Sequence, residues 1–261
     1  MTKVASIQPW FSDDKSKEER IKHAEQMIDR AAGADLILLP ELWNTGWYSF
    51  DLWRDNSEPL HGETVTRMAE KAKKVNAYIL TGSFVEKLDN SLYNTMVLLD
   101  PKGKIIATYK KMHLSNLRGV QEAALMKRGE EVVAVKTEIG VLGFGICYDL
   151  RFPELFRKMA VLKEVEVFLV AAAWPLVRVE SWIEMGHVRA AENQCYLISC
   201  NCAGINRGHQ FLGHSAIVDP QGTAIANGGL DECIVKGEID VGELRKFRKD
   251  IPTLQNRVLS V

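Results

Sequence analysis

No run of apolar residues in this sequence is long enough to cross a bilayer. The most apolar stretch, VFLVAAAWPLV at 167–177, falls well short of the ~20 residues a spanning helix needs. Neither charge is in excess. Lysine and arginine number 33 against 34 aspartates and glutamates, so nothing argues electrostatically for nucleic acid or an anionic membrane surface. Cysteine is scarce and unpatterned: Cys147, Cys195, Cys200, Cys202 and Cys233 form an odd set of five. That argues against a disulfide framework and predicts reduced thiols in a cytoplasm. The opening MTKVASIQPWF turns polar and charged too early for a secretory signal. Ser- or Pro-rich linkers are missing too, which leaves no seam between domains. Cys200, Cys202, His209 and His214 lie near one another, but paired Cys-x-x-Cys spacing is absent. Cys200 and Cys202 are read as sharing one face of a strand, and no metal or cofactor is expected.

What the chain does contain is an α/β grammar written twice. KVASIQPWF reads as a first strand, and Ile21, Ala24, Ile28 and Ala31 mark one buried helix face. DLILLPEL is a continuous apolar run of the kind found in strands buried on both sides. A second amphipathic helix carries Val65, Met68, Ala69, Ala72 and Val75, and leads into AYILTGSFVEK. The later part repeats this order, with VLGFGICYD, PELFRKMAVLKE, VEVFLVAAAWP, VESWIEMGHVRAAENQ and CYLISCNCAG. LLDPKGKIIA (98–107) and IVDPQGTAIA (217–226) are nearly the same hairpin. The fold expected is a four-layer α-β-β-α sandwich with internal pseudo-symmetry, occupying residues 1–245. Residues 246–261 read as a charged tail that is either solvated or contacts another subunit.

Three positions combine chemistry with a suggestive place. Cys147 ends an apolar strand just before Pro153 opens a helix, where backbone amides and the helix dipole would lower a thiol's pKa. Taken alone, a buried structural cysteine is the plainer reading. Glu41 ends DLILLP, and open α/β sheets place ligands at the carboxyl ends of strands; a turn-starting acid fits equally well. In YKKMHL, strand alternation sends Lys110 and Lys111 to opposite faces, so only one can reach a shared pocket. A solvated lysine pair is the ordinary alternative.

Together, LLPELWNTG, YKKMHL and GICYDLRFPE resemble the nitrilase superfamily of carbon–nitrogen hydrolases. GETVTRMAEKAKKVNAYILTGS, YNTMVLLDPKGKII, VRAAENQCYLISCN and GHSAIVDPQG extend the likeness over about residues 3–240. The resemblance implies Glu41 as general base, Lys111 as cationic stabiliser and Cys147 as nucleophile. Lys111 is chosen over Lys110 because the family's lysine stands two residues before the histidine. Glu122 matches a second family glutamate, with a surface acid as its alternative. The backbone N–H of Tyr148 would join Lys111 in holding an oxyanion. The text CYDLRFPE followed by AAAWP looks like the omega-amidase branch, which hydrolyses the side-chain amides of 2-oxoglutaramate and 2-oxosuccinamate.

On that reading Arg151 would pair with the substrate's far carboxylate, and Trp47 and Trp174 would wall the pocket. Gly186, His187 and the aromatic TGWYSF depart from relatives and would reshape the substrate end. Amidases of other specificity, such as one for deaminated glutathione, are the main rivals. Tyr148 and Asp149 follow the cysteine where true nitrilases carry tryptophan and glutamate, and an intact Glu41–Lys111–Cys147 set argues against a non-catalytic binding module. The partner implied is a small amide, with no nucleic acid or membrane. A homodimer is expected through FPELFRKMAVL and ESWIEMGHVRAA, with Phe156, Met159, Trp182 and Met185 at the contact.

Overall fold

A computed structural model describes residues 1–260 and arranges them as two six-stranded sheets, a small three-stranded sheet and flanking helices. The chain begins with β1 (Thr2–Gln8), β2 (Trp10–Phe11), α1 (Lys17–Arg30), β3 (Leu36–Leu38), α2 (Glu63–Val75), β4 (Tyr78–Leu88), β5 (Ser91–Leu99) and β6 (Ile105–Lys110). Then come α3 (Glu122–Leu125), β7 (Ala134–Lys136), β8 (Val141–Ile146), α4 (Pro153–Leu162), β9 (Val167–Ala172) and α5 (Val179–Asn193). It ends with β10 (Tyr196–Asn201), β11 (Ala203–Asn206), β12 (His209–Gln210), β13 (Ala216–Val218), β14 (Ala224–Asn227), β15 (Cys233–Ile239) and α6 (Val241–Asp250).

Local chemistry explains the main boundaries. Ser16 caps α1 in a reciprocal box: its hydroxyl accepts from the Glu19 N–H, and the Glu19 carboxylate accepts from the Ser16 N–H. Pro153 occupies the first turn of α4, where its missing N–H costs nothing. KVASIQPWF breaks into β1 and β2 at Pro9, which has no N–H to donate to a ladder. The Pro9 carbonyl instead accepts from Ala203, and β2 moves to the small sheet with β11.

β3 shows how the layers form. Leu36 and Leu38 point into a core shared with Phe144, Ile146 and Phe168 of the second sheet. Ile37 and Leu39 join Ile21 and Ile28 of α1 and Val65 and Met68 of α2. Alternation along one strand thus glues helix to sheet on one side and sheet to sheet on the other. With α4 and α5 over the second sheet, this is the four-layer sandwich read from the sequence.

The pseudo-symmetry extends to sheet order. In the first sheet β1, β3 and β4 run parallel, with β5 and β6 antiparallel on one edge and β15 on the other. The second sheet repeats this with β8, β9 and β10 parallel, β13 and β14 on one edge and β7 on the other. The matching hairpins close alike. Asp100 Oδ1 accepts from the N–H groups of Lys102 and Lys104 at 2.9 and 2.8 Å, and Asp219 Oδ1 from those of Gln221 and Thr223 at 2.8 and 2.9 Å.

Three expectations change. Phe156, Met159 and Trp182 are buried within the subunit itself rather than left for a partner, and Met185 is half-buried. The reason is that β8 lacks side chains at Gly143 and Gly145, and α4 fills the space: an added Cβ would meet Met159 Sδ at 2.8 Å and Phe156 Cζ at 3.2 Å. Cys200 and Cys202 do not share a face; they fall in different cores, because the chain leaves β10 after Asn201 and alternation does not carry across. α6 runs through the expected boundary after residue 245 and docks on the domain. Leu244 is buried, Arg245 binds Glu166 at 2.6 Å and Arg248 donates to the Val165 carbonyl at 2.8 Å.

Candidate active site

The carboxyl ends of β3 and β9 meet face to face. The Glu41 N–H donates to the Ala172 carbonyl at 3.2 Å, and the Ala173 N–H donates back to Glu41 Oε2 at 3.0 Å. Glu41 is thereby fixed with its other oxygen turned to a buried cation. Lys111 Nζ donates to Glu41 Oε1 at 2.8 Å and to Glu122 Oε1 and Oε2 at 2.8 and 3.0 Å. All three side chains are fully buried. Glu122 opens α3, and its Oε2 also accepts from the Ser115 N–H at 2.7 Å, so this acid is not on the surface.

Strand alternation separates the two lysines as the sequence implies. Lys110 lies outside, 3.4 Å from Glu86 and over the Tyr93 ring, lining a surface groove of about 590 Å³ with Lys127 and Glu130. That groove contains none of Glu41, Lys111 or Cys147. Asn94 on β5, unmarked in the sequence reading, completes the cluster. Its side-chain amide donates to Glu41 Oε1 at 2.8 Å and Glu122 Oε1 at 2.9 Å, and its backbone carbonyl accepts from the Lys111 backbone N–H. The only sequence signal was a lone amide inside the apolar run LYNTMVLL.

Cys147 sits on a strained turn. It has φ of +45° and starts a 3-10 turn (Cys147–Arg151) between β8 and α4. A non-glycine residue held there costs of order 1 kcal/mol and persists only where its surroundings over-determine it. Here Asp149 does so. Fully buried, it accepts from the Ile146 N–H at 2.9 Å, the Tyr109 hydroxyl at 2.8 Å and the His113 N–H at 2.9 Å, and His113 Nδ1 lies 2.7 Å away. Tyr109 and His113 flank Lys111 by two residues on either side, so one carboxylate ties the cysteine turn to the lysine strand.

The electrostatics correct one expectation. Burial pushes the Cys147 thiol well above its ordinary value, and the negative charge of Glu41 pushes the same way. Lys111 and the Ala173 N–H oppose this without prevailing. The helix dipole does not rescue the thiolate, because a 3-10 turn rather than a long helix begins at the sulfur. Burial would pull the Lys111 ammonium down, but Glu122 and Glu41 overcome it and hold the amine charged. Glu122 is raised by its own burial, against the pull of Lys111. A neutral thiol therefore faces a carboxylate beside a fixed cation. Such a set can pass a proton from sulfur to a leaving group while the cation faces developing negative charge.

The remaining candidates form the rim. Trp47 is buried, with its ring centroid 6.0 Å from Lys111 Nζ, in an aromatic cluster with Tyr48 and Phe50. Trp174 follows Ala173, and Arg151 stacks over its ring at 4.6 Å. Tyr148 comes directly after Cys147 in the same turn. Burial pushes the Tyr48 phenol up to about 12, with the charge of Glu41 adding to the effect. Gly186 and His187 stand apart from this group: α5 sets Gly186 against Leu197 of β10, and the His187 carbonyl packs near Gly222 of the β13–β14 turn. There Gly186 takes part in core packing and the His187 backbone in hairpin packing.

Fold and site together define a class of enzyme. The chain belongs to the carbon-nitrogen hydrolase family, whose model matches residues 3–249. It is 36% identical to the 2-oxoglutaramate amidase of Paenarthrobacter nicotinovorans, over 97% of this chain and 88% of that protein. It is 39% identical to the 2-oxoglutaramate amidase of Bacillus subtilis, over 91% of each. Among solved structures, Nit3 of Saccharomyces cerevisiae, a member of branch 10 of the nitrilase superfamily, matches with a TM-score of 0.89 at 29% identity. That likeness covers 99% of this chain and 97% of the yeast one.

Proposed function

We propose that this protein hydrolyses the side-chain amide of small 2-oxo dicarboxylic acid monoamides, 2-oxoglutaramate and 2-oxosuccinamate, releasing ammonia through a Cys147 thioester. The reading rests above all on the buried Glu41–Lys111–Glu122 cluster, with its 2.8 Å contacts, and on the strained Cys147 turn tied to it through Asp149. Two relatives named as 2-oxoglutaramate amidases, at 36% and 39% identity, support the substrate class. The Arg151 guanidinium, without a carboxylate partner among the described residues, suits the substrate's own carboxylate.

Each step follows from the raised thiol. Glu41 takes the S–H proton as Sγ attacks the amide carbon, forming the C–S bond and driving the carbonyl electron pair onto oxygen. Lys111 and the Tyr148 N–H hold that oxyanion, at about 3–4 kcal/mol per donor. Glu41 returns the proton to nitrogen, the C–N bond breaks and ammonia leaves an acyl thioester. Water then attacks, Glu41 takes its proton, and the C–S bond breaks as Glu41 passes that proton to Sγ, giving the acid and the restored thiol. Glu122 keeps Lys111 charged and in place. The scheme requires no metal ion or cofactor.

Ammonia release across 2-oxo acid amides, deaminated glutathione, simple amides and nitriles tests the substrate reading. The highest kcat/KM is expected on 2-oxoglutaramate or 2-oxosuccinamate; a clear preference for deaminated glutathione or a nitrile overturns it. Trapping of the acyl group on Cys147, seen by mass spectrometry, tests the thioester. No helix among the described residues is long and apolar enough to cross a membrane. Five unpaired cysteines support a reducing, cytoplasmic setting. We also propose a homodimer through the α4–α5 side, where Leu162 and Val188 remain exposed. Light scattering at micromolar concentration checks it; an active monomer of 29.3 kDa is the outcome against it.

A further inference from the structure

Seven arginines among the described residues are buried or half-buried, and five of them have partners. Arg20 donates to the carbonyls of Ser12, Asn44 and Thr45. Arg67 binds Glu18, Glu25 and Glu63; Arg189 binds Glu192 and the Leu150 carbonyl; Arg157 reaches Glu192; Arg248 caps the carbonyls of Val165 and Gln194. Arg151 and Arg178 have neither a carboxylate within 4.0 Å nor a hydrogen bond from the guanidinium among the described residues. A cation partly withdrawn from water gains from an anionic neighbour, so these two guanidiniums are free to receive the anionic group of a bound molecule.

Both residues contact the same side chain, Arg151 through its guanidinium and Arg178 through its backbone. Arg151 lies 4.6 Å over the face of Trp174, and Trp174 Nε1 donates to the Arg178 carbonyl at 2.9 Å. Trp174 is fixed in turn, its N–H on Asn201 Oδ1 at 2.7 Å. The residue just before it, Ala173, donates its N–H to Glu41. A single dipeptide, Ala173–Trp174, thus links the proposed proton-transfer group to the Arg151 guanidinium and to the backbone that carries Arg178.

We propose that Arg178 joins Arg151 in a guanidinium clamp for the 2-oxo acid end of the substrate, and that Arg178 sets the preference for anionic over neutral amides. The inference rests on the amidase reading above and deepens it. A 2-oxo acid offers a carboxylate and an adjacent keto oxygen, more acceptors than one planar fork covers. The mutual repulsion of two guanidiniums becomes attraction for both when an anion lies between them. Consistent with their closeness, the charge on Arg178 adds to burial in lowering Arg151, and it also acts on Tyr48, whose phenol senses Cys147.

Two measurements on the full-length protein separate this clamp from the substrate reading. Calorimetric titration with 2-oxoglutarate, the product acid, should show binding that Arg178→Gln weakens about 10- to 100-fold, the range of one charge-assisted contact. Arg178→Lys should recover part of that loss, and thermal melting should match the wild type, which excludes a misfolded variant. In steady-state assays the ratio of kcat/KM for 2-oxoglutaramate to that for pentanamide should fall by the same factor in Arg178→Gln, mainly through KM. Undiminished 2-oxoglutarate binding in Arg178→Gln overturns the clamp, whatever the natural substrate. Arginine-dependent binding of 2-oxoglutarate without turnover of 2-oxoglutaramate supports the clamp and overturns the substrate reading instead.

Discussion

β3 and β9 occupy equivalent places, each at the centre of three parallel strands in its own sheet. Both are apolar throughout and end against each other. Beyond β3 the chain delivers a side chain, Glu41; beyond β9 it delivers a backbone group, the Ala173 N–H, that holds Glu41 in place. The same division runs through the two halves. The first supplies the buried polar cluster of Glu41, Asn94 and Lys111, and the second supplies the thiol, its strained turn and the arginines. Repetition of a scaffold therefore built the frame, and divergence at two strand ends built the site.

The sharpest way to break this division is to remove the thiol. Cys147→Ala should lower kcat about a millionfold, as loss of a nucleophile does elsewhere, while circular dichroism stays unchanged. Retained turnover would refute the thioester route. Glu41→Gln should cost about 10³- to 10⁴-fold, and the double variant should be no slower than Cys147→Ala, because the groups act as one unit.

Because burial and Glu41 hold the thiol up, alkylation of Cys147 by iodoacetamide should climb with pH and show no plateau near neutrality. Glu41→Gln removes a negative neighbour, so its profile should shift to lower pH. A shift the other way contradicts the assigned cause. Stopped-flow or quenched alkylation followed by mass spectrometry reads both profiles.

Ala173→Pro tests the other strand end directly. Losing one N–H on the Glu41 carboxylate should cost about 1.5–3 kcal/mol of transition-state stabilisation, read in kcat, whereas Ala173→Gly keeps the donor and should cost far less. Equal losses in the two variants would mean packing, not the hydrogen bond, matters at that position. The smallest effect sharpens the symmetry itself. Asp100→Ala and Asp219→Ala each remove the same turn contacts and should each lose about 1 kcal/mol, a drop of about 2–4 °C in Tm by calorimetry.

Much of the site was legible because motif and place coincided. Glu41, Lys111 and Glu122 converge as the resemblance implied, and the Glu41 carboxylate acts on the Cys147 thiol. Asn94 was not legible, since a lone amide in an apolar strand looks the same whether it bridges two carboxylates or caps a turn. Arg178 went unnoticed for a related reason: an arginine's meaning lies in the absence of a partner, and only three-dimensional distances reveal that. The thiol's pKa was misread because the sequence marks a helix start at Pro153 but not the burial or the carboxylate at the sulfur.

Periodicity, capping residues and the repeated Asp-Pro turn determined the strands, the helices and their doubled order by themselves, because these depend on contacts between near neighbours in the chain. The pairing of β15 with β1, the burial of Phe156, Met159 and Trp182 under their own helix, and the meeting of β3 with β9 were decided only in the tertiary structure. Each brings together residues far apart in sequence. Local pattern carries no information about which distant backbone amide or charge will fill the space beside a given side chain, and at Glu41 that neighbour, 132 residues away, fixes one oxygen of the carboxylate.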